Sequence, residues 1–107
     1  MADALSAAAE PTRRRLLQLL ATGPRTVNEL AEHFTVTRSA ISQHLAVLAD
    51  AGLVTARKDG RQRFYRVVPA GIAQLRAEIN RFWSTELELL VHDATGTATQ
   101  QPEEPPQ

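Results

Sequence analysis

TVNELAEHFTVTRSAISQHLAVLADAGLV, residues 26–54, contains two segments with the apolar spacing of amphipathic helices, separated by a few polar residues. In the first segment, Thr26 and Glu29 have the spacing of a capping box, in which each side chain accepts a hydrogen bond from the other residue's backbone. In the second, Thr37 is the predicted N-cap and Gly52 the predicted stop. Two helices joined by so short a turn must cross sharply and share one small core, which predicts a helix-turn-helix.

The second helix of this pair has one polar face that fits the major groove of DNA. If Ile41, Leu45 and Leu48 face the core, a helical wheel exposes the opposite side of the helix. That side carries small or hydrogen-bonding residues, with an arginine beside them in the first turn: Ser39, Ser42, Gln43, Ala46 and Arg38. Such side chains read base edges. The alternative is an ordinary solvated helix face in a small bundle.

Length and composition suit a single globular domain. The chain has 107 residues, of which 43% are hydrophobic, and no cysteine, which excludes disulfides and thiolate metal sites. No apolar run approaches the roughly 20 residues that span a bilayer, and the N-terminus has no basic segment of the kind that begins a secretory signal. We therefore expect a cytoplasmic protein without membrane partners.

The charges are unevenly distributed, although the chain as a whole is neutral. Residues 13–66 contain ten Lys or Arg against four Asp or Glu, a net charge of +6, and the flanking segments are acidic. A local basic region of this kind is typical of proteins that bind nucleic acid.

After the helix pair, residues 53–68 are rich in β-branched and aromatic residues, with Asp59 and Gly60 between two strand-like runs. This pattern predicts a β-hairpin. Basic residues cluster on it and are candidates for contacts with the DNA backbone or minor groove: Lys58, Arg61 and Arg63 at the tip, with Arg57 and Arg66 on the flanks. A basic hairpin directly after a recognition helix is a wing. The alternative is an exposed edge hairpin that uses charge to prevent aggregation.

Helices are predicted on both sides of this region. Residues 2–9 indicate a short helix with Leu5 as its one large apolar anchor, and a second helix runs from Pro11 to about Gly23. Arg13 and the two residues after it are arginines in the first turn of this second helix, where the helix dipole disfavours cations. They indicate an anionic partner, with Arg13 as a candidate contact to the DNA backbone, or else a solvated run of charge.

Residues 70–91 predict a long helix with a continuous apolar stripe. Its members repeat at spacings of three and four residues: Ile72, Leu75, Ile79, Phe82, Trp83, Leu87 and Leu90. The small core described above covers only part of this stripe, so the rest predicts a dimer interface. The alternative is that the helix folds back over its own domain. Residues 93–107 have no apolar anchor and predict a disordered tail, which leaves one domain in residues 1–92.

The order of the predicted helices and strands, together with the residues they carry, resembles the ArsR-type (ArsR/SmtB) family of bacterial winged-helix repressors. The stretches that carry the resemblance are Glu10 to Arg13, Thr26 to Phe34, Ser42 to Leu45, Leu48, Gly52 to Val54, Gly60-Arg61, and Phe64 to Arg66. The resemblance implies a mainly α winged helix-turn-helix with the order α-α-α-α-β-β-α. It also implies a homodimer joined through the first and last helices, with Leu5 in the interface. The target is then an inverted-repeat operator, and the usual output is repression, often of the family member's own promoter.

Metal-sensing members of the family use either a Cys-x-Cys in the first helix of the motif or an Asp-x-His with two histidines on the last helix. In this chain Ala31 and His33 occupy the first positions, and His92 stands alone near the end of the last helix. A metal site needs several convergent donors, so we predict no metal and no cofactor. His44 follows the family pattern and either reaches a phosphate or caps the core. Glu10 replaces the family's usual Asp, which predicts a weaker N-cap.

These observations predict a dimeric, sequence-specific DNA-binding repressor that is not a thiolate metal sensor. Arg38, Ser39, Ala40, Ser42 and Gln43 are the candidates for base contacts, and Thr37, His44 and the wing for phosphate or minor-groove contacts. One alternative is a repressor released by a small organic effector, itself unknown, held near Phe82 and Trp83. Another is a winged helix that binds proteins and has no DNA role. An enzyme is not expected, since the chain has no Cys nucleophile, no phosphate-loop motif and no paired carboxylates beyond the solvated Glu86 and Glu88.

Overall fold

A computed structural model describes residues 3–97, and these residues form five helices and a three-stranded sheet. In chain order the elements are α1 (Ala4–Ala9), α2 (Pro11–Leu20), β1 (Arg25–Thr26), α3 (Val27–Ala31), α4 (Arg38–Asp50), β2 (Val54–Asp59), β3 (Gln62–Val67) and α5 (Pro69–Thr97). The predicted winged helix-turn-helix order is confirmed, with the short strand β1 as an addition. Among the described helices, none is long and apolar enough to cross a membrane.

Side-chain caps begin the helices where the sequence predicts them. The Thr26 hydroxyl accepts the Glu29 N–H at 3.2 Å, and the Glu29 carboxylate accepts the Thr26 N–H at 2.9 Å, so the capping box is confirmed. The Thr37 hydroxyl accepts the Ala40 N–H at 3.0 Å and caps α4. Glu10 caps α2 despite being the less favoured acid, with its carboxylate 2.9 Å from the Arg13 N–H.

The wing is an antiparallel hairpin whose register runs from Val54 opposite Val67 to Asp59 opposite Gln62. The two turn residues are Gly60 and Arg61, and Gly60 has a φ of 65°. A positive φ at the first turn residue alone is the requirement of a type II′ turn, which glycine meets without strain. The predicted hairpin is confirmed, but its turn lies one residue later than expected, because Asp59 pairs with Gln62 at the end of β2.

Strand β1 pairs with β3 on the side away from β2, so the strand order is β1-β3-β2. Arg25 lies opposite Tyr65 and Thr26 opposite Phe64. A strand of two residues is too short to show an alternating pattern in the sequence, and the prediction missed it for that reason. Its effect is to tie the beginning of α3 to the wing.

The described residues form two compact units that divide between Arg76 and Ala77. In the first unit, α4 packs on both α2 and α3, and α1 packs on α2 and α4. Its buried apolar side chains are Ala7, Leu16, Leu19, Leu20, Leu30, Ile41, Leu45, Leu48, Leu53, Val54 and Leu75. The face of α4 that was predicted to be buried is therefore confirmed, with Ile41, Leu45 and Leu48 completely inaccessible to solvent.

The apolar stripe of α5 divides between the two units. Leu75 is 8% exposed and belongs to the core of the first unit, where Ile72 is half-buried. In the second unit Ile79 is half-buried, whereas the remaining stripe residues are 48–60% exposed: Phe82, Trp83, Leu87 and Leu90. The first members of the stripe thus contribute to the chain's own core, and the later ones present an apolar surface.

The predicted end of the last helix at residue 91 is wrong, because α5 continues to Thr97. The predicted end was set at Val91, the last large apolar residue before the polar C-terminal segment. The next residues, Asp93 to Thr95, include neither proline nor glycine and do not interrupt helical hydrogen bonding. Residues 93–97 are therefore helical rather than part of the predicted tail, and residues 98–107 lie outside the described part of the chain.

The start of α5 lies directly against the end of α4. Gly52 ends α4 with a φ of 81°, and the Leu53 N–H donates to the Leu48 carbonyl at 3.0 Å, as at many helix C-termini. A Cβ atom built on Gly71 meets the Gly52 carbonyl oxygen. Only glycine therefore fits at position 71 while the two helix ends keep this approach.

Gly71→Ala should destabilise the protein by about 1–3 kcal/mol, because the added methyl group overlaps backbone that cannot move aside without repacking. A decrease in the free energy of unfolding would be diagnostic, because a Gly→Ala substitution inside a helix otherwise stabilises a protein by about 0.5–1 kcal/mol. Urea unfolding measures the difference. The matched control is Ala73→Ser, an exposed position in the same turn, which we expect to change the free energy of unfolding by less than about 0.5 kcal/mol. An unchanged or higher free energy of unfolding in Gly71→Ala would contradict the close approach.

Candidate nucleic-acid interface

The exposed face of α4 consists of polar and small residues. With Ile41, Leu45 and Leu48 buried, the opposite side is exposed at Ser39, Ser42, Gln43 and Ala46, and Arg38 is exposed in the first turn. The Thr37 hydroxyl is engaged as an acceptor in the cap but keeps its O–H as a donor. Ala40 is half-buried at the edge of this face. The structure therefore brings the predicted base-reading candidates together on one surface.

The wing carries exposed positive charge on both sides of the hairpin. Lys58 and Arg63 lie directly opposite each other in the register, so their side chains project from the same face. Like charges at directly opposed positions repel and weaken a hairpin, a cost that a bound anion removes. Arg57 lies opposite Phe64 on the other face, and Arg61 lies in the turn.

An open cleft separates the helix-turn-helix from the wing. Its lining is Thr26, Val27, Asn28, Arg38, Arg61, Gln62 and Arg63. The charged residues of this lining are all arginines, one at the start of α4 and two on the wing. Guanidinium groups that face one space from two elements suit a phosphate group, which accepts paired hydrogen bonds from arginine. Asn28 and Gln62 were missed by the sequence reasoning, since neither belongs to the helix face or to the basic cluster.

Arg13 and His44 are not among the residues that line this cleft. Arg13 Nε donates to the Ala7 carbonyl at 2.6 Å, and Arg13 Nη1 lies 3.2 Å from His44 Nδ1. Glu10 Oε1 lies 3.9 Å from the same imidazole nitrogen, and the His44 side chain is 23% exposed. We call these three side chains the Glu10–Arg13–His44 cluster. It lies where α1, α2 and α4 meet.

The arginines at the start of α2 have partners within the protein. Arg14 Nη2 donates to the Ala9 carbonyl at 3.0 Å, as Arg13 does to Ala7. The last carbonyls of a helix lack intrahelical partners and carry the negative end of the helix dipole. Arg13 and Arg14 therefore compensate the carbonyl end of α1, and the anionic partner that the sequence indicates for these arginines stays a prediction. Arg15 is exposed.

The pKa of the Glu10 carboxyl is lowered from its ordinary value of 4.5. The hydrogen bond from the Arg13 N–H is the largest cause, desolvation acts in the opposite direction, and electrostatic interactions with His44 and Arg13 add to the lowering. The carboxylate form is therefore favoured in the folded chain, which keeps the α2 cap charged near neutral pH.

Within residues 3–97, no three His, Cys, Asp or Glu side chains lie close enough together to hold a metal ion. His33 and His92 are both exposed. In the second unit, the rings of Phe82 and Trp83 meet edge to face with centroids 5.5 Å apart, and both remain about half exposed. This aromatic pair begins the exposed apolar surface of α5, which continues through the leucines after it.

Comparison with known proteins agrees with this geometry. The model of a family described as bacterial regulatory protein, arsR family, matches residues 10–56. An HTH-type transcriptional regulator of Mycobacterium tuberculosis is 46% identical over 84 residues, which is 78% of each chain. The transcriptional repressor SdpR of Bacillus subtilis is 35% identical over 65 residues, 61% of this chain and 72% of its own.

Solved structures show the same fold. The crystal structure of a possible transcriptional regulator for arsenical resistance is 64% identical, with a TM-score of 0.78 over 88% of this chain and 98% of that one. The solution structure of a homodimeric winged helix-turn-helix DNA-binding domain from Mycobacterium bovis is 32% identical. Its TM-score is 0.60 over 78% of this chain and 77% of its own.

Glu10→Gln should lower the stability of the protein at neutral pH, and the difference from wild type should disappear in acid. Glutamine keeps an oxygen for the Arg13 N–H but loses the charge that the cap favours. Because the folded pKa of Glu10 is lowered, its contribution is fully present above 4.5 and is lost as the pH falls through the folded value.

Urea unfolding of both proteins between pH 7 and pH 3 measures this convergence. Glu88→Gln, at an exposed position of α5, controls for the general effect of removing one negative charge. A constant difference between Glu10→Gln and wild type across the whole range would contradict the role of the charge in the cap.

Proposed function

The chain belongs to the arsR family of bacterial regulatory proteins, and from this membership we propose that it is a homodimeric repressor of an inverted-repeat operator. The family consists of transcription regulators with a winged helix-turn-helix DNA-binding fold, which are not enzymes. One observation carries the proposal: Arg38, in the first turn of α4, lines the same open cleft as Arg61 and Arg63 of the wing. If a DNA phosphate binds in that cleft, α4 lies next to the bases of the same duplex.

In this proposal α4 is the recognition helix and enters the major groove. Its exposed residues contact base edges: Arg38, Ser39, Ala40, Ser42 and Gln43. The wing and the start of α4 contact the backbone or the minor groove through Thr37, Arg57, Lys58, Arg61 and Arg63. Asn28 joins them because it lines the cleft and its amide donates to phosphate oxygens.

The dimer is proposed from the apolar surface of α5. Phe82, Trp83, Leu87 and Leu90 are each about half exposed, and a contiguous apolar surface of this kind marks an interaction site. The Mycobacterium bovis relative is a homodimer. A two-fold dimer presents two copies of α4, so its target is an inverted repeat. Repression follows when the bound dimer occludes a promoter, and the SdpR relative is named a repressor.

Thiolate metal sensing is not part of the proposal, although one structural relative is described as a regulator for arsenical resistance. Soft metals and metalloids select thiolate ligands, and this chain has no cysteine. A small organic effector near Phe82 and Trp83 remains an alternative hypothesis. Quenching of the single tryptophan by a compound that also releases DNA would support it.

Gln43→Ala and Arg61→Ala should have different effects on DNA binding. Losing Gln43 should reduce the preference for the operator over a scrambled duplex by about 1–3 kcal/mol, because a base-edge contact is lost. Losing Arg61 should weaken binding to both duplexes alike and reduce the slope of log affinity against log salt by about 1, because a phosphate contact is lost.

Fluorescence anisotropy measures both effects on a duplex that the wild-type protein selects from a randomised library. The matched controls are Gln18→Ala on α2 and Arg76→Ala on α5, both at exposed positions away from the cleft lining. If Gln43→Ala leaves affinity and preference untouched, α4 does not read bases through this face. If wild type binds no duplex at low salt, the protein-interaction alternative replaces the repressor. If the selected sequence also occurs upstream of the protein's own gene, that occurrence would indicate autoregulation.

Trp83→Ala should raise the dissociation constant of the dimer by at least tenfold, because the largest exposed apolar side chain of α5 leaves the proposed interface. Sedimentation equilibrium over a range of concentrations measures it. Glu88→Ala, on the polar side of α5, is the control and should leave association unchanged. A Trp83→Ala protein that associates like wild type would place the dimer interface elsewhere.

A further inference from the structure

We propose that Arg13 and His44 are positioning residues, which link α1 to the recognition helix α4 and set the orientation of its DNA-reading face. The inference rests on the proposed function. It assigns to the Glu10–Arg13–His44 cluster a role in specificity that does not involve contact with DNA.

The guanidinium of Arg13 joins two helices through one rigid plane. Nε donates to the Ala7 carbonyl on α1 at 2.6 Å, and Nη1 contacts His44 Nδ1 on α4 at 3.2 Å. A guanidinium only donates hydrogen bonds, so Nδ1 must accept, which places the proton of the neutral imidazole on Nε2. Because the donor directions of the planar group are fixed relative to each other, moving α1 shifts the direction of the bond to α4.

His44 lies between the buried side and the reading side of α4. It is adjacent in sequence to Gln43, and a step of about 100° around the helix separates them. The apolar contacts of Ile41, Leu45 and Leu48 fix how deeply α4 is seated, but apolar packing is not directional. A hydrogen bond at His44 adds direction, and a small rotation about the helix axis would move the Gln43 side chain relative to a base edge.

Helix α1 depends on the same arginine. It has six residues, fewer than an isolated helix needs to be stable in water. Arg13 and Arg14 bind its carbonyls at Ala7 and Ala9, and Ala7 is buried where α1 packs on α2 and α4. Any event that displaces α1, including a change at a dimer interface that involves Leu5, therefore reaches α4 through Arg13.

The local charge disfavours a direct phosphate contact. The Glu10 carboxylate lies 3.9 Å from His44 Nδ1 and accepts the Arg13 N–H, so a negative charge already occupies this site. The His44 side chain is 23% exposed, and two nitrogens of the Arg13 guanidinium are engaged within the protein. A DNA phosphate would meet an acid here, in contrast to the cleft that Arg38 lines.

The test measures the ratio of affinities of the full chain for its selected duplex and for a scrambled duplex. His44→Leu removes the acceptor, whereas His44→Asn places an amide oxygen near the position of Nδ1. We expect His44→Leu to reduce the ratio about tenfold, with unchanged affinity for the scrambled duplex and an unchanged salt slope. His44→Asn should restore the ratio to within about threefold of wild type.

Arg13→Lys provides a second variant that keeps the positive charge. Lysine lacks the planar fork and does not reach Ala7 and His44 together, so the ratio should fall as it does in His44→Leu. In the double variant Arg13→Lys/His44→Leu, the ratio should be no lower than in either single variant, because the two substitutions remove the same link. Thermal unfolding of every variant separates a loss of folded protein from a loss of specificity.

Two other roles for His44 predict different results. A direct phosphate contact predicts equal weakening on both duplexes and a lower salt slope for His44→Leu, with Arg13→Lys close to wild type. A merely structural role predicts lower unfolding temperatures with an unchanged ratio. Either result overturns the inference while leaving the proposed function intact. If wild type does not discriminate between the duplexes, the proposed function fails, and the inference that rests on it fails too.

Discussion

Burial of one face of α4 is the interaction on which the rest of the structure depends. Ile41, Leu45 and Leu48 are completely buried, and burying a side chain of this size stabilises a protein by about 1.5–3 kcal/mol. These residues hold α4 against α2 and α3, so the same contact stabilises the domain and fixes the orientation of the helix. Residues on the opposite side of a helix must then face solvent, and Ser42 and Gln43 are presented there as a consequence.

The arginines of this chain serve two purposes that their sequence does not distinguish. Arg13 and Arg14 lie against the carbonyl end of α1 and replace the hydrogen bonds that a short helix lacks at its end. Arg61 and Arg63 project from the wing and, with Arg38, line an open cleft in which no opposing charge has been placed among the lining residues. Burial and partners separate a structural arginine from one available to a phosphate.

The two units of the chain differ in how they satisfy their apolar residues. The first unit encloses a core to which β2 and every helix contribute buried residues, and Gly71 at the start of α5 closely approaches Gly52. The second unit has an apolar surface at Phe82, Trp83 and the leucines after them, each about half exposed. Such a surface is costly in water, so it favours association with another apolar surface, as the proposed dimer provides.

Local patterns specify much of this protein: the capping box at Thr26, the cap at Thr37, the stop at Gly52, the polar face of α4 and the basic hairpin all follow from residues close in sequence. These features depend on periodicity and backbone hydrogen bonding within a few residues, which a sequence displays directly. Four other features do not follow from local sequence: the pairing of β1 with β3, the need for glycine at position 71, the convergence of Arg38 with Arg61, and the hydrogen bond between Arg13 and His44. They depend on distances between residues far apart along the chain, which only packing of the helices determines, because charge and hydrogen-bonding capacity do not specify which partner lies within reach.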